Sequence, residues 1–144
     1  MQNIKFIGSP EGLLNETTIS SVLVSFATSE GYNIDAIEYS FIDSDKMHTL
    51  NKDYLNHSTD TDIITFDYST DRNILAEVYV SKEMMANNAA AYSQTIENEA
   101  IRLVSHALFH CMGYKDKSAM EKEIMRGKED DFLSAVSRET KQNV

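Results

Sequence analysis

The chain has one cysteine, one proline, five glycines and no tryptophan among its 144 residues. A lone cysteine, Cys111, cannot close an internal disulfide, so the fold must rest on core packing. Pro10 is the only proline, and no repeat or Gly/Pro/Ser-rich tract marks a linker. A single domain over 1–144 is therefore expected. Apolar runs long enough to span a bilayer are missing. The start, MQNIKFIGSPEG, lacks the charged end, apolar centre and small-residue cleavage site of a signal peptide. These absences predict a cytoplasmic protein with no membrane partner. Positive charge is scarce too: 13 basic residues face 23 acidic ones, for a net charge of −10. That argues against a protein that coats nucleic acid by charge alone, but not against one with a local basic patch. Seven of the 13 basic residues lie from Lys115 onward, interleaved with acids as on a solvated helix with i,i+4 pairs.

What is present reads as alternating strands and helices. NIKFIG is a short first strand. Asn15 can cap a helix to about Glu30, with Ile19, Val22, Leu23 and Phe26 at helical spacing and Gly31 as its stop. AIEYSFID alternates as a half-buried strand does, and Asp43 or Ser44 can cap a short helix after it. TDIITFDYS and NILAEVYVS are β-rich runs joined by the turn TDRN, which predicts an antiparallel hairpin. Helices follow from Lys82 to about Tyr92, from Thr95 to Gly113, and from a capping box at Ser118-Ala-Met-Glu121 to about Val136. The order predicts an α+β fold: a mixed sheet of about four strands with helices mainly on one face.

Function concentrates in SHALFHCMGYKD, Ser105 to Asp116. His106 and His110 stand at i and i+4 and so share one helix face, a turn apart. A helix alone rarely supplies a third ligand. Gly113 allows the positive φ that turns the chain back, and Asp116 can then meet the same ion. Two imidazoles and one carboxylate with an open fourth position form the donor set of a catalytic zinc, one Zn2+ per chain, which would acidify a bound water. Other divalent metals remain compatible. Ala107 stands where zinc peptidases of this spacing carry their glutamate base, which argues against a protease. Glu99, seven residues before His106, is either a partner for a ring nitrogen or an ordinary exposed or N-terminal-turn glutamate. Cys111 points away from the ion and reads as a small core residue. Asp62 either orients the site or caps a loop.

Several separated stretches resemble the YbeY family of bacterial endoribonucleases. HALFHCMGYKD is similar to that family's HGxLHLxGYDH, Thr61-Asp-Ile-Ile-Thr-Phe66 to its TDVLSFP, and Leu75-Ala-Glu-Val-Tyr-Val-Ser81 to its LGDIxIS. Leu50-Asn-x-x-Tyr54 matches LNxxYR, and Met125-x-x-x-Glu129 has the look of the family's following helix, so the likeness runs from about Phe41 to Asp131. The resemblance implies a metal-dependent endoribonuclease in 16S rRNA 3′-end maturation and ribosome quality control, with rRNA, the small subunit and possible ribosomal proteins as partners. Three positions depart from the pattern. Asp116 replaces the usual third histidine, Leu55 replaces an arginine expected to meet phosphate, and Ala107 replaces a glycine. With Leu55 in place, the candidate cations are Arg72, Lys115 and Lys52, and His57 is a candidate acid, base or phosphate contact. A hydrolase of another substrate, or a non-catalytic ribosome-associated factor with a structural metal, are the alternatives.

Overall fold

The computed structural model describes residues 3–55 and 61–142. In chain order the elements are β1 (Ile4–Ile7), α1 (Glu16–Ser29), β2 (Asn33–Ile42), α2 (Ser44–Leu55), β3 (Ile63–Asp67), β4 (Asn73–Ser81), α3 (Lys82–Ala91), α4 (Ile96–Cys111) and α5 (Ala119–Gln142). The class is α+β, as the pattern predicts. None of the described helices is long and apolar enough to cross a membrane.

The four strands form one sheet in the order β1-β2-β4-β3. β1 and β2 run parallel with Ile4 opposite Ile37, and β2 and β4 run parallel with Ile37 opposite Ala76. β3 returns antiparallel to β4, with Ile63 opposite Val80, and lies at the sheet edge. The hairpin turn needs left-handed backbone at both central positions, and Asp71 (φ 50°) and Arg72 (φ 65°) adopt it without glycine. Arg72 is held there by a hydrogen bond to the Glu30 carbonyl (3.1 Å) and by stacking 4.9 Å over Tyr32.

Side-chain alternation divides the sheet. Ile74, Ala76, Val78 and Val80 of β4 face the main core, which α1, α4 and α5 cover, with α3 packed against α4. Tyr79, Ile64, Phe66 and Ile42 face the other side and meet Met47 and Leu50 of α2. Four helices thus lie on one face and one on the other. Phe132 of α5 meets Phe26 of α1 (5.1 Å between centroids) and Phe109 of α4 (6.4 Å), both edge-on. These contacts fix α5 alongside α4, which is what later brings a glutamate to a histidine.

The capping box forms as predicted, with Ser118 and Glu121 exchanging backbone bonds at 2.9 and 3.1 Å. α5 runs to Gln142, past the expected end near Val136. The residues beyond Val136 carry no apolar spacing to announce a helix, but Arg138, Glu139, Lys141 and Gln142 are good helix formers with no breaker among them.

Tyr39 is fully buried, and its hydroxyl donates to the Val104 carbonyl at 2.9 Å, tying β2 to the middle of α4. Burial holds its phenol well above the ordinary pKa. Tyr39→Phe should cost about 1 kcal/mol, the net worth of one such bond, seen as a lowered urea midpoint at unchanged slope.

Candidate metal centre

α4 begins where Thr95 accepts a hydrogen bond from Asn98 N–H at 3.0 Å. Ala100, Val104, Ala107 and Leu108 are buried along it, which sets the rotation of the helix and leaves His106 and His110 at the margin of the core. The helix ends in a left-handed turn. Gly113 (φ 95°) donates to the His110 carbonyl and Tyr114 N–H to the Phe109 carbonyl, both at 3.0 Å. Tyr114 then anchors the returning chain through a 2.8 Å bond to Glu30.

The turn delivers Asp116 to both histidines. Its Oδ2 lies 3.1 Å from His106 Nε2 and 3.4 Å from His110 Nε2. Ligands about 2.0 Å from a tetrahedral zinc stand ~3.3 Å from one another; both aspartate–histidine separations match that spacing, and the three donor atoms all lie within 4.8 Å of one another. Among the described residues, His106, His110 and Asp116 are the group that could hold a metal ion. They open on a cavity of about 410 Å³ whose other wall is the start and inward face of the edge strand: Thr61, Asp62, Ile63, Thr65 and Asp67.

The second ring nitrogen of His106 is also engaged. Nδ1 lies 2.7 Å from Glu129 Oε2, and Glu129 Oε1 accepts from Arg102 at 2.9 Å. Arg102 reaches Asp130 as well, at 2.7 Å. With Nδ1–H committed to Glu129, Nε2 is the nitrogen left to bind metal. The sequence offers Glu99 either as the ring partner or as an exposed or N-terminal-turn glutamate; it does stand in the first turn of α4, but it is neither exposed nor the ring's partner. Glu99 is only 7% exposed, and Glu129 has the contact. Glu129 and Arg102 were missed because 23 residues separate Glu129 from His106. The Met125-x-x-x-Glu129 pattern was the available signal, and it carried no spatial information.

Charge crowds this region. Burial pushes the Asp62 carboxyl up despite its backbone bonds and the nearby His106, and Asn88 donates to its Oδ2 at 3.2 Å. Burial, then the Asp62 charge, raises Glu99 in the same way. Cys111 is in the core as expected, its thiol pushed up to about 12 by burial first and the Asp67 charge second.

The proposed cations are not brought to this cavity. Arg72 is spent on Glu30 and Tyr32 at the hairpin turn, and neither Lys115 nor Lys52, both exposed, lines the cavity. Arg72 does not line this cavity. His57 and the Leu55 side chain lie outside the described residues.

The sequence pattern described as Endoribonuclease YbeY matches residues 12–137. The chain belongs to the YbeY endoribonuclease family. It is 40% identical over 120 residues to the Endoribonuclease YbeY of Flavobacterium johnsoniae, covering 83% of this chain and 86% of that protein. It is 41% identical over 115 residues to that of Flavobacterium psychrophilum, covering 80% and 79%. A solution structure of a Thermotoga maritima protein superposes with a TM-score of 0.70 over 97% of this chain and 93% of its own, at 22% identity, and shows the same fold. YbeY membership places the chain among nucleases that hydrolyse phosphodiester bonds.

The electrostatics give a pH prediction. Burial lowers the His106 pKa, but the Glu129 hydrogen bond and charge, then Asp116 and Asp62, outweigh it and leave it raised. In the metal-free protein, protonated His106 thus contributes stability that is fully present below the ordinary value near 6.5 and lost as pH rises through the raised one. Metal needs the Nε2 lone pair, so loading expels a proton and affinity should climb with pH until His106 is neutral. An NMR titration of the metal-free protein should place the His106 midpoint above about 6.5, and Glu129→Gln should bring it down. A midpoint that Glu129→Gln leaves in place would contradict this account.

Proposed function

We propose that the chain is a metal-dependent endoribonuclease of the cytoplasm, acting as one domain on ribosomal RNA. The proposed role is 3′-end maturation of 16S rRNA on the small subunit and ribosome quality control, with ribosomal proteins as docking partners. The observation that carries the reading is the convergence of His106 Nε2, His110 Nε2 and Asp116 Oδ2 on one open cavity in a YbeY-family chain. Two imidazoles and a carboxylate suit Zn2+, which when bound would supply Lewis acidity toward a phosphate oxygen and acidify water. The chain's own groups do the rest. Glu129 keeps the Nδ1 proton of His106 in place and so fixes the ring's direction. Asp62 lines the cavity and holds its proton to higher pH than an ordinary carboxyl, which suits it to proton transfer there.

A second reading is a ribosome-associated factor whose metal is structural. What favours it is that no Lys or Arg is among the described residues lining the cavity, where Asp62 and Asp67 add negative charge. Hydrolysis of a different substrate is a third possibility that the same experiment addresses.

The deciding measurement is metal content and cleavage of a 16S rRNA precursor, for wild type beside His110→Ala. Stoichiometric metal and cleavage in wild type, both lost in the variant, are expected. A wild type without metal would sink the site. Equal cleavage by the two proteins would sink its catalytic use, and metal without cleavage would favour the structural reading.

A further inference from the structure

The metal ligands have two sides, and they differ in charge. On the β3 side the cavity is lined by Asp62 and Asp67 with no cation among the described residues. On the α5 side, His106 and Asp116 also border a shallower cavity of about 170 Å³, shared with Lys122, Met125, Arg126 and Glu129. Lys122 and Arg126 are i and i+4 on α5, so they project from one helix face, one turn apart.

Both cations are exposed, and neither makes an ion pair or side-chain hydrogen bond with a described residue. The acidic residues at i+3 and i+4 from Arg126, Glu129 and Asp130, are held by Arg102 at 2.9 and 2.7 Å, and Glu129 also holds His106. The basic charge further along the helix is spent differently, since Lys128 pairs with Glu30 and lies over the Tyr114 ring. Lys122 and Arg126 are thus uncommitted positive charge directly beside the metal ligands of an acidic protein. Arg126 is near enough that its charge opposes the rise in the Glu99 pKa.

We propose that Lys122 and Arg126 form the phosphate-binding side of the site. They would grip the RNA backbone next to the reacting phosphodiester, so that the strand approaches the metal ligands from the α5 side. This inference rests on the endoribonuclease reading and assigns its substrate a direction. It also answers the loss of the family arginine at Leu55, because the cationic contact comes from α5 instead. An anionic strand would be repelled by the carboxylates lining the β3 side, which keeps that side for the proton-transferring groups.

The test uses the zinc-loaded protein and a short labelled single-stranded RNA, with binding followed by anisotropy across a salt series and cleavage by initial rates. The double variant Lys122→Ala/Arg126→Ala removes two phosphate contacts. Its log-affinity against log-salt plot should be shallower by roughly 1.4, since each contact on a single strand contributes about 0.7. The cleavage defect should fall on KM rather than kcat. The charge-conserving pair Lys122→Arg/Arg126→Lys should restore the wild-type slope, and metal content and melting temperature should stay at wild-type values in both variants. An unchanged slope and KM overturns the proposal, as does a loss of metal or thermal stability that accompanies the RNA defect. Failure of the wild type to cleave any RNA would instead sink the nuclease reading, and the salt slope still reports whether these two cations bind the strand.

Discussion

His106→Ala should leave the protein without stoichiometric metal and without measurable RNA cleavage, a larger loss than any other single change at the site. Among the described residues, His106 is the one that meets both Asp116, at 3.1 Å, and Glu129, at 2.7 Å. His110 contacts Asp116 at 3.4 Å and is more exposed, at 34% against 18% for the His106 side chain. Removing His106 deletes a ligand and also strands the carboxylate that positioned it. Loss of an outer partner alone typically costs roughly 10–100-fold in metal affinity, so loss of the ligand should exceed that range. Titration with zinc against a competing chelator, followed by the RNA assay, measures both effects. Metal affinity in His106→Ala within about tenfold of wild type would contradict the assignment.

Glu129→Ala should be the most destabilising substitution near the site, because it empties the middle of a largely buried charge network. Glu129 is 6% exposed and lies between the Arg102 guanidinium and the His106 ring. Breaking a buried pair by removing one partner costs about 3–5 kcal/mol, mostly through the charge left behind. Arg102 keeps Asp130, at 2.7 Å, so the lower end of that range is expected. Chemical denaturation of the metal-free proteins isolates this from the stabilisation that bound metal would add. Glu129→Gln preserves shape and one acceptor, so it should lose less stability while still weakening zinc binding. A loss below about 1 kcal/mol in Glu129→Ala would mean the network is solvated rather than buried.

Much of the site was legible because it is local. His106, His110, Gly113 and Asp116 lie within one helix and the turn that ends it, and helix geometry plus a glycine capable of positive φ bring the three ligands together. Caps at Asn15, Thr95 and Ser118 were legible for the same reason, since each acts on an N–H three residues away. Alternation in the β4 sequence marked which residues face the core.

The choice of cation was not legible. Arg72 is one of three cations the sequence offers, and the sheet brings it against the end of α1, where it meets Glu30 and Tyr32. Glu99 looked exposed because it sits in a first helical turn, whereas its position near Asp62 and Arg102 buries it.

The sequence by itself determined the class, the helix caps and the grouping of three side chains that could hold a metal, because each depends on residues within a few positions of one another. Only the tertiary structure decided what surrounds that group: Glu129 on His106, the acidic β3 wall, and the uncommitted Lys122 and Arg126 on the opposite side. Those contacts depend on α5 packing against α4 through Phe109 and Phe132, and on β3 forming the sheet edge beside it. Long-range packing of this kind leaves no periodic trace in the chain, since the partners are fixed by shape and burial rather than by spacing.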